Sequence, residues 1–113
     1  MEEMKTADAI ICSMAEHNKT YTAAFKNLLD WCTRIDMNVF ANKKMYLMST
    51  SPGGYGGGNV MAAAQSFFPK CGANIVASFS LGKFHDNFKE NKIIDELSLR
   101  EFEAQLKLFE EAK

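Results

Sequence analysis

Two kinds of apolar pattern alternate along the chain. A-D-A-I-I-C-S (Ala7–Ser13), K-M-Y-L-M-S-T (Lys44–Thr50) and A-N-I-V-A-S-F-S-L (Ala73–Leu81) are short apolar runs bounded by turn-prone residues, and they predict buried strands. Between them the apolar residues recur at helical spacing. From Tyr21 to Ile35, a stripe of Ala24, Leu28, Trp31 and Ile35 is flanked by Phe25, Leu29 and Cys32, while Lys26, Asn27, Asp30 and Arg34 take the remaining positions. This predicts an amphipathic helix with a wide apolar side and an N-cap oxygen from Thr20 or Thr22. N-V-M-A-A-A-Q-S-F-F predicts a second helix, closed by Pro69 and Gly72. Ile94–Ala112 predicts a last one, with Leu97, Phe102, Leu106 and Phe109 on its buried side. A polar, aromatic-dotted connection, Gly82 to Lys92, precedes it.

The order is therefore βα-βα-β-loop-α. Strands alternating with helices predict a parallel sheet with right-handed crossovers and helices over its faces. Ligands in such sheets bind at the carboxyl ends of the strands. Glu16–Thr22 and Ser51–Gly58 both follow a strand and precede a helix, so the topology sets them on one rim as parts of one composite site.

Length and charge narrow the possibilities. The 113 residues make one domain, 1–113, and 47 % hydrophobic with 24 % charged residues is an ordinary globular composition. Thirteen Lys and Arg against fourteen Asp and Glu give a net charge of −1 with no long run of either sign, which argues against a nucleic-acid partner. No stretch has the length of a membrane span. The apolar start of the first strand is preceded by Glu2, Glu3 and Asp8 rather than by a basic segment, so it does not read as a signal peptide, and a cytoplasmic protein is expected. Cys12, Cys32 and Cys71 are scattered, and His17 and His85 stand alone. The cysteines read as small buried hydrophobes of a reducing compartment, and no metal site is expected.

The densest local signal is S-P-G-G-Y-G-G-G-N, Ser51–Asn59, which places five of the seven glycines within six positions. Gly53 and Gly58 have the glycine spacing of a P-loop, but Asn59 and Val60 stand where lysine and Ser/Thr are required. A dinucleotide fingerprint begun at Gly54 and Gly56 would need its third glycine at Asn59. Both phosphate motifs fail. What remains is a strand end with hydroxyls at Ser49, Thr50 and Ser51, a run of bare backbone and a helix N-terminus. Such a surface suits either a mobile turn or the face of a flat polar ring.

Two motifs in order carry a resemblance. A-E-H-N-K-T-Y-T-A-A-F-K-N-L-L-D-W, Ala15–Trp31, followed by N-K-K-M-Y-L-M-S-T-S-P-G-G-Y-G-G-G, resembles the signature of NADPH-dependent FMN reductase-like flavoproteins, which have a flavodoxin-like fold. The resemblance implies that the first loop lies along a flavin ring and that the glycine-rich loop borders it. Carried over by position, the FMN contacts are Glu16, His17 and Asn18, with Ser51, Gly53, Gly54, Gly56 and Gly57. Lys26, Asn27, Asp30 and Trp31 match the helix signature and are expected to be structural or interface residues. The implied activity is hydride transfer from NADPH or NADH through FMN to a small-molecule electron acceptor. The cofactor carries that chemistry, so no catalytic side chain is expected.

Departures from the family pattern shape the remaining expectations. No strand with a G-S-x-R-x-x-S phosphate loop precedes Ala7, so the chain resembles strands 3, 4 and 5 of a truncated, three-layer flavodoxin-like α/β sheet, with low expected FMN affinity. Ala15 and Lys19 replace the family's proline and glycine, and Thr22 stands where proline is common. An unpaired first-strand edge invites another chain, and a homodimer is expected. A second function class fits the same scaffold: a non-catalytic α/β dimerisation or interaction module without cofactor.

Overall fold

Alternation of apolar side chains fixes the architecture. In a computed structural model describing all 113 residues, the elements in order are α1 (Glu2–Thr6), β1 (Ala9–Met14), β2 (Glu16–His17), β3 (Thr20–Tyr21), α2 (Ala23–Ile35), β4 (Lys44–Thr50), α3 (Gly58–Phe67), β5 (Asn74–Leu81), α4 (Phe84–Asn87), β6 (Phe88–Lys89), β7 (Lys92–Ile93) and α5 (Glu96–Glu111). The three long strands form a parallel sheet in the order β1-β4-β5. β2-β3 and β6-β7 are separate two-residue hairpins.

β4 is the centre of the sheet, and its side chains divide the core. Met45 and Leu47 point into one cluster with Met14, Leu29, Val60, Ala64 and Phe68, which α2 and α3 cover. Tyr46 points the other way, into a cluster with Ala77, Phe79, Leu81 and Phe109 under α5. Helix, sheet and helix thus make three layers, the α/β arrangement expected, and the sheet corresponds to the three flavodoxin-like strands that the sequence resembles. Burial also moves acidities on both faces. It pushes the Cys12 thiol up to about 11, and it raises the Tyr46 phenol to about 12 with Glu101 adding to the effect.

Local chemistry sets the boundaries. Tyr21 belongs to β3, so α2 starts at Ala23 and Thr22 is its cap, accepting from Phe25 N–H at 3.2 Å. β1 starts at Ala9 because Ala7 closes the short helix α1. Pro69 does not stop the chain abruptly; Phe68–Cys71 continues α3 as a tight 3₁₀ turn that ends at Gly72, φ +84°. Asp95 caps α5 by accepting from Ser98 N–H at 3.0 Å. At the other end of α5, Lys44 donates to the carbonyls of Phe109 at 2.8 Å and Ala112 at 2.9 Å, a cation on the negative end of the helix.

Two expectations about helix faces need correction. Leu97 is 75 % exposed; it lies five residues before Phe102, about 140° round the helix, and so points away from the sheet. On α2 the side that packs inward is Phe25, Leu29 and Cys32. The stripe read as primary is outside, with Leu28, Trp31 and Ile35 at 63 %, 67 % and 78 % exposure. Cys71 is buried as expected, whereas Cys12 and Cys32 are only partly so.

Candidate functional site

Both polar loops emerge at the carboxyl ends of parallel strands, Glu16–Tyr21 after β1 and Ser51–Gly57 after β4. A carboxylate ties them together. Glu16 Oε1 accepts from Val60 N–H at 2.6 Å, and Glu16 Oε2 accepts from the Asn59 amide at 3.4 Å. The negative side chain therefore sits on the N-terminus of α3, where orphan N–H groups and the helix dipole favour it. An anion such as phosphate would have to displace it. Glu16 is thus the tie between the two loops, and only its main chain is left for a ligand.

His17 and Asn18 project from the tip of the first loop and are exposed. Asn18 and Lys19 have φ of +51° and +68°, the two left-handed residues of a type I′ hairpin turn. The turn sets His17 opposite Thr20, so the loop is a fixed hairpin rather than open coil.

The glycines of the second loop divide into two kinds. Gly56 and Gly57 are buried with φ of +65° and +76°. A Cβ on Gly56 would lie 3.0 Å from the Leu81 carbonyl carbon, and one on Gly57 would lie 3.0 Å from the Ser49 Cβ. These two let the loop fold back on the strand ends. Gly53 and Gly54 are different: a Cβ on Gly53 would meet nothing within 4 Å, and one on Gly54 only the Lys83 side chain at 4.0 Å. The chain itself gives no packing reason for these two to be bare. Their N–H groups, and that of Tyr55, donate to no atom of the protein.

Hydroxyls hold the loop in shape. Ser49, buried, donates to the Gly56 carbonyl at 2.7 Å with the Ser80 hydroxyl 3.0 Å away. Thr50 donates to the Leu81 carbonyl at 2.6 Å. Ser51 has its N–H on the Leu81 carbonyl and its own carbonyl accepting from Phe84 N–H, so its main chain is committed to the scaffold.

A third loop, after β5, also reaches the rim, and the sequence reading did not single it out. Lys83 N–H donates to the Gly53 carbonyl at 2.8 Å, and a Cβ on Gly82 would lie 2.6 Å from the Gly54 carbonyl oxygen. The available signal was G-K directly after a strand, the third rim position of the sheet. On the α5 side of the same rim a cavity of about 570 Å³ is walled by Met48, Phe79, Phe84, Phe88 and Phe102, with Ser13 and Thr50 among its few polar groups. The Phe84 and Phe88 rings stack there at 5.1 Å.

With this geometry in place, comparison with known proteins is decisive at the level of the family. The family model for NADPH-dependent FMN reductase matches residues 1–86. The chain belongs to that family. A relative from Arabidopsis thaliana described as an NADPH:quinone oxidoreductase is 40 % identical over 57 residues, which are 50 % of this chain and 28 % of the relative. The chain thus aligns with little more than a quarter of that relative's length. The matched region of the family model contains β1 to β5, the two tied loops and Lys83.

Proposed function

We propose that this FMN reductase family member holds the ring of FMN against its tied rim loops, and that it promotes hydride transfer from NADPH or NADH through that flavin to a small-molecule acceptor. The observation that carries this reading is the bare, outward backbone of Gly53 and Gly54. A flat ring can approach a peptide surface without Cβ atoms, and free N–H groups there can donate to ring carbonyls and nitrogens. Glu16, His17 and Asn18 offer main chain from the other side of the site, while Ser51, Gly56 and Gly57 hold the second loop in position. Bound FMN supplies the two-electron chemistry; the protein's part is to orient the ring and to exclude water from one face. No side chain is assigned a nucleophilic or proton-transferring role.

The phosphate end of FMN has no comparable seat in these residues, because Glu16 already satisfies the N-terminus of α3. Ring binding without phosphate binding makes the affinity of this chain for FMN low. A quinone is the favoured acceptor class, since the aromatic-walled cavity at the rim fits a flat apolar ring and the Arabidopsis relative is described by that substrate. The working form is a homodimer in the cytoplasm.

The test is NADPH oxidation with added FMN and a benzoquinone, compared with the same mixture lacking protein. Protein-dependent oxidation that Gly54→Val abolishes without altering the circular dichroism spectrum supports the reading. Rates equal to the protein-free mixture would leave the non-catalytic module as the better account.

A further inference from the structure

We propose that the Lys83 side chain supplies the positive charge that makes this rim hold a reduced, negatively charged flavin ring more tightly than an oxidised one. This rests on the ring seat proposed above and gives one residue of the third loop a part in setting the flavin's potential.

The loop after β5 brings the lysine onto the bare backbone in steps. Gly82 lets the two loops touch, since a Cβ there would lie 2.6 Å from the Gly54 carbonyl oxygen. Lys83 N–H then donates to the Gly53 carbonyl at 2.8 Å. The side chain runs back along the same loop, and its Cε is 4.0 Å from where a Cβ on Gly54 would stand. Lys83 keeps this position in the left-handed region, at φ +49° and ψ +57°, which a residue with a Cβ adopts only at a cost in conformational energy. Strain held at a non-glycine residue beside a site is an observation that points to function.

Nothing cancels the charge that arrives there. Lys83 is exposed, and its ammonium pairs with no acid, because the four ion pairs of the chain lie elsewhere. Ser51–Asn59 contains no charged residue, and the Glu16 carboxylate is taken up by the N-terminus of α3. Asp86 bonds to Lys83 through the main chain alone. The seat therefore combines the free N–H groups of Gly53, Gly54 and Tyr55 with one whole positive charge.

That charge acts on one redox state. Hydride brings the oxidised ring two electrons and one proton, so NADPH leaves as NADP+ and the neutral ring becomes an anion. Passing the hydride on to a quinone removes the negative charge again. A fixed cation that meets this charge as it develops lowers the energy of the reduced ring and hardly alters that of the oxidised one.

Equilibrium dialysis of lumiflavin, oxidised and dithionite-reduced, in mildly alkaline buffer without oxygen tests this. Lumiflavin has no phosphate, so Lys83 can act only on the ring. The expected result is reduced lumiflavin bound at least about tenfold more tightly than oxidised, which by linkage raises the bound potential by about 30 mV. Lys83→Met keeps the stem without the charge, and it should cut that ratio at least about fivefold with an unchanged thermal midpoint. Lys83→Arg should keep the ratio within about twofold. Lys70→Met, the same change of charge in the turn before β5, should leave it as in the wild type. A wild-type ratio near one, a Lys83→Met ratio equal to wild type, or an equal fall in Lys70→Met overturns the role of Lys83 and leaves the ring seat standing. No saturable binding of either redox form overturns the seat and this role together.

Discussion

Gly53 and Gly57 are the same residue type four positions apart, and the fold uses them in opposite ways. Gly57 sits at φ +76° with no space for a methyl group beside Ser49, so Gly57→Ala should destabilise the protein by about 1–3 kcal/mol. Gly53 has open surroundings and no positive φ, and Gly53→Ala should change stability by no more than about 0.5 kcal/mol. Urea unfolding of the two variants side by side checks the contrast. Equal losses would mean that the loop is needed only for its shape and that nothing beyond the chain explains the bare backbone at Gly53. Glu16 shows a related division within one residue: its carboxylate is committed to the N-terminus of α3, so in the proposed function only its main chain serves the flavin.

At the scale of elements, the two-residue turn between β2 and β3 carries a lysine where the backbone is left-handed, φ +68° at Lys19. An L-residue there is strained by about 1–2 kcal/mol, against which glycine loses about 0.5–1 kcal/mol in chain entropy. Lys19→Gly should therefore raise the thermal midpoint by a small but measurable amount, and a fall would show that the lysine side chain stabilises the hairpin in another way. This hairpin also shows where sequence reading stops. The three long strands and the helices α2, α3 and α5 were legible because strands buried on both faces read as continuous apolar runs, whereas the helices repeat their apolar residues at helical spacing. β2-β3 and β6-β7 were not, because each is two residues a side and turns through Asn18-Lys19 or Glu90-Asn91 in place of the Asn-Gly that would announce it. The short α1 has no apolar stripe to mark it. Which side of α2 faces the core was also hidden, since both sides are apolar and only tertiary packing chooses between them. In the site, the glycine loop and its partner loop could be placed by topology. The capping role of Glu16 and the approach of Gly82 to Gly54 could not, because they join residues far apart in the chain.

For the whole molecule, the rim at the carboxyl ends of the sheet is the one place where three loops, free N–H groups and an aromatic-walled cavity meet. The open edge of β1 beside Ile11, 60 % exposed, and the outer face of α2 lie elsewhere. Central to the proposed function is that the rim receives a flavin ring and not a phosphate. Fluorescence titration of FMN beside lumiflavin, which has the ring without the phosphate, measures that claim. The prediction is saturable quenching of both flavins with affinities within about threefold, less than 1 kcal/mol apart, and at least a tenfold loss, about 1.4 kcal/mol, in Gly54→Val. No saturable signal from either flavin at several hundred micromolar protein, or binding that Gly54→Val leaves unchanged, would contradict it.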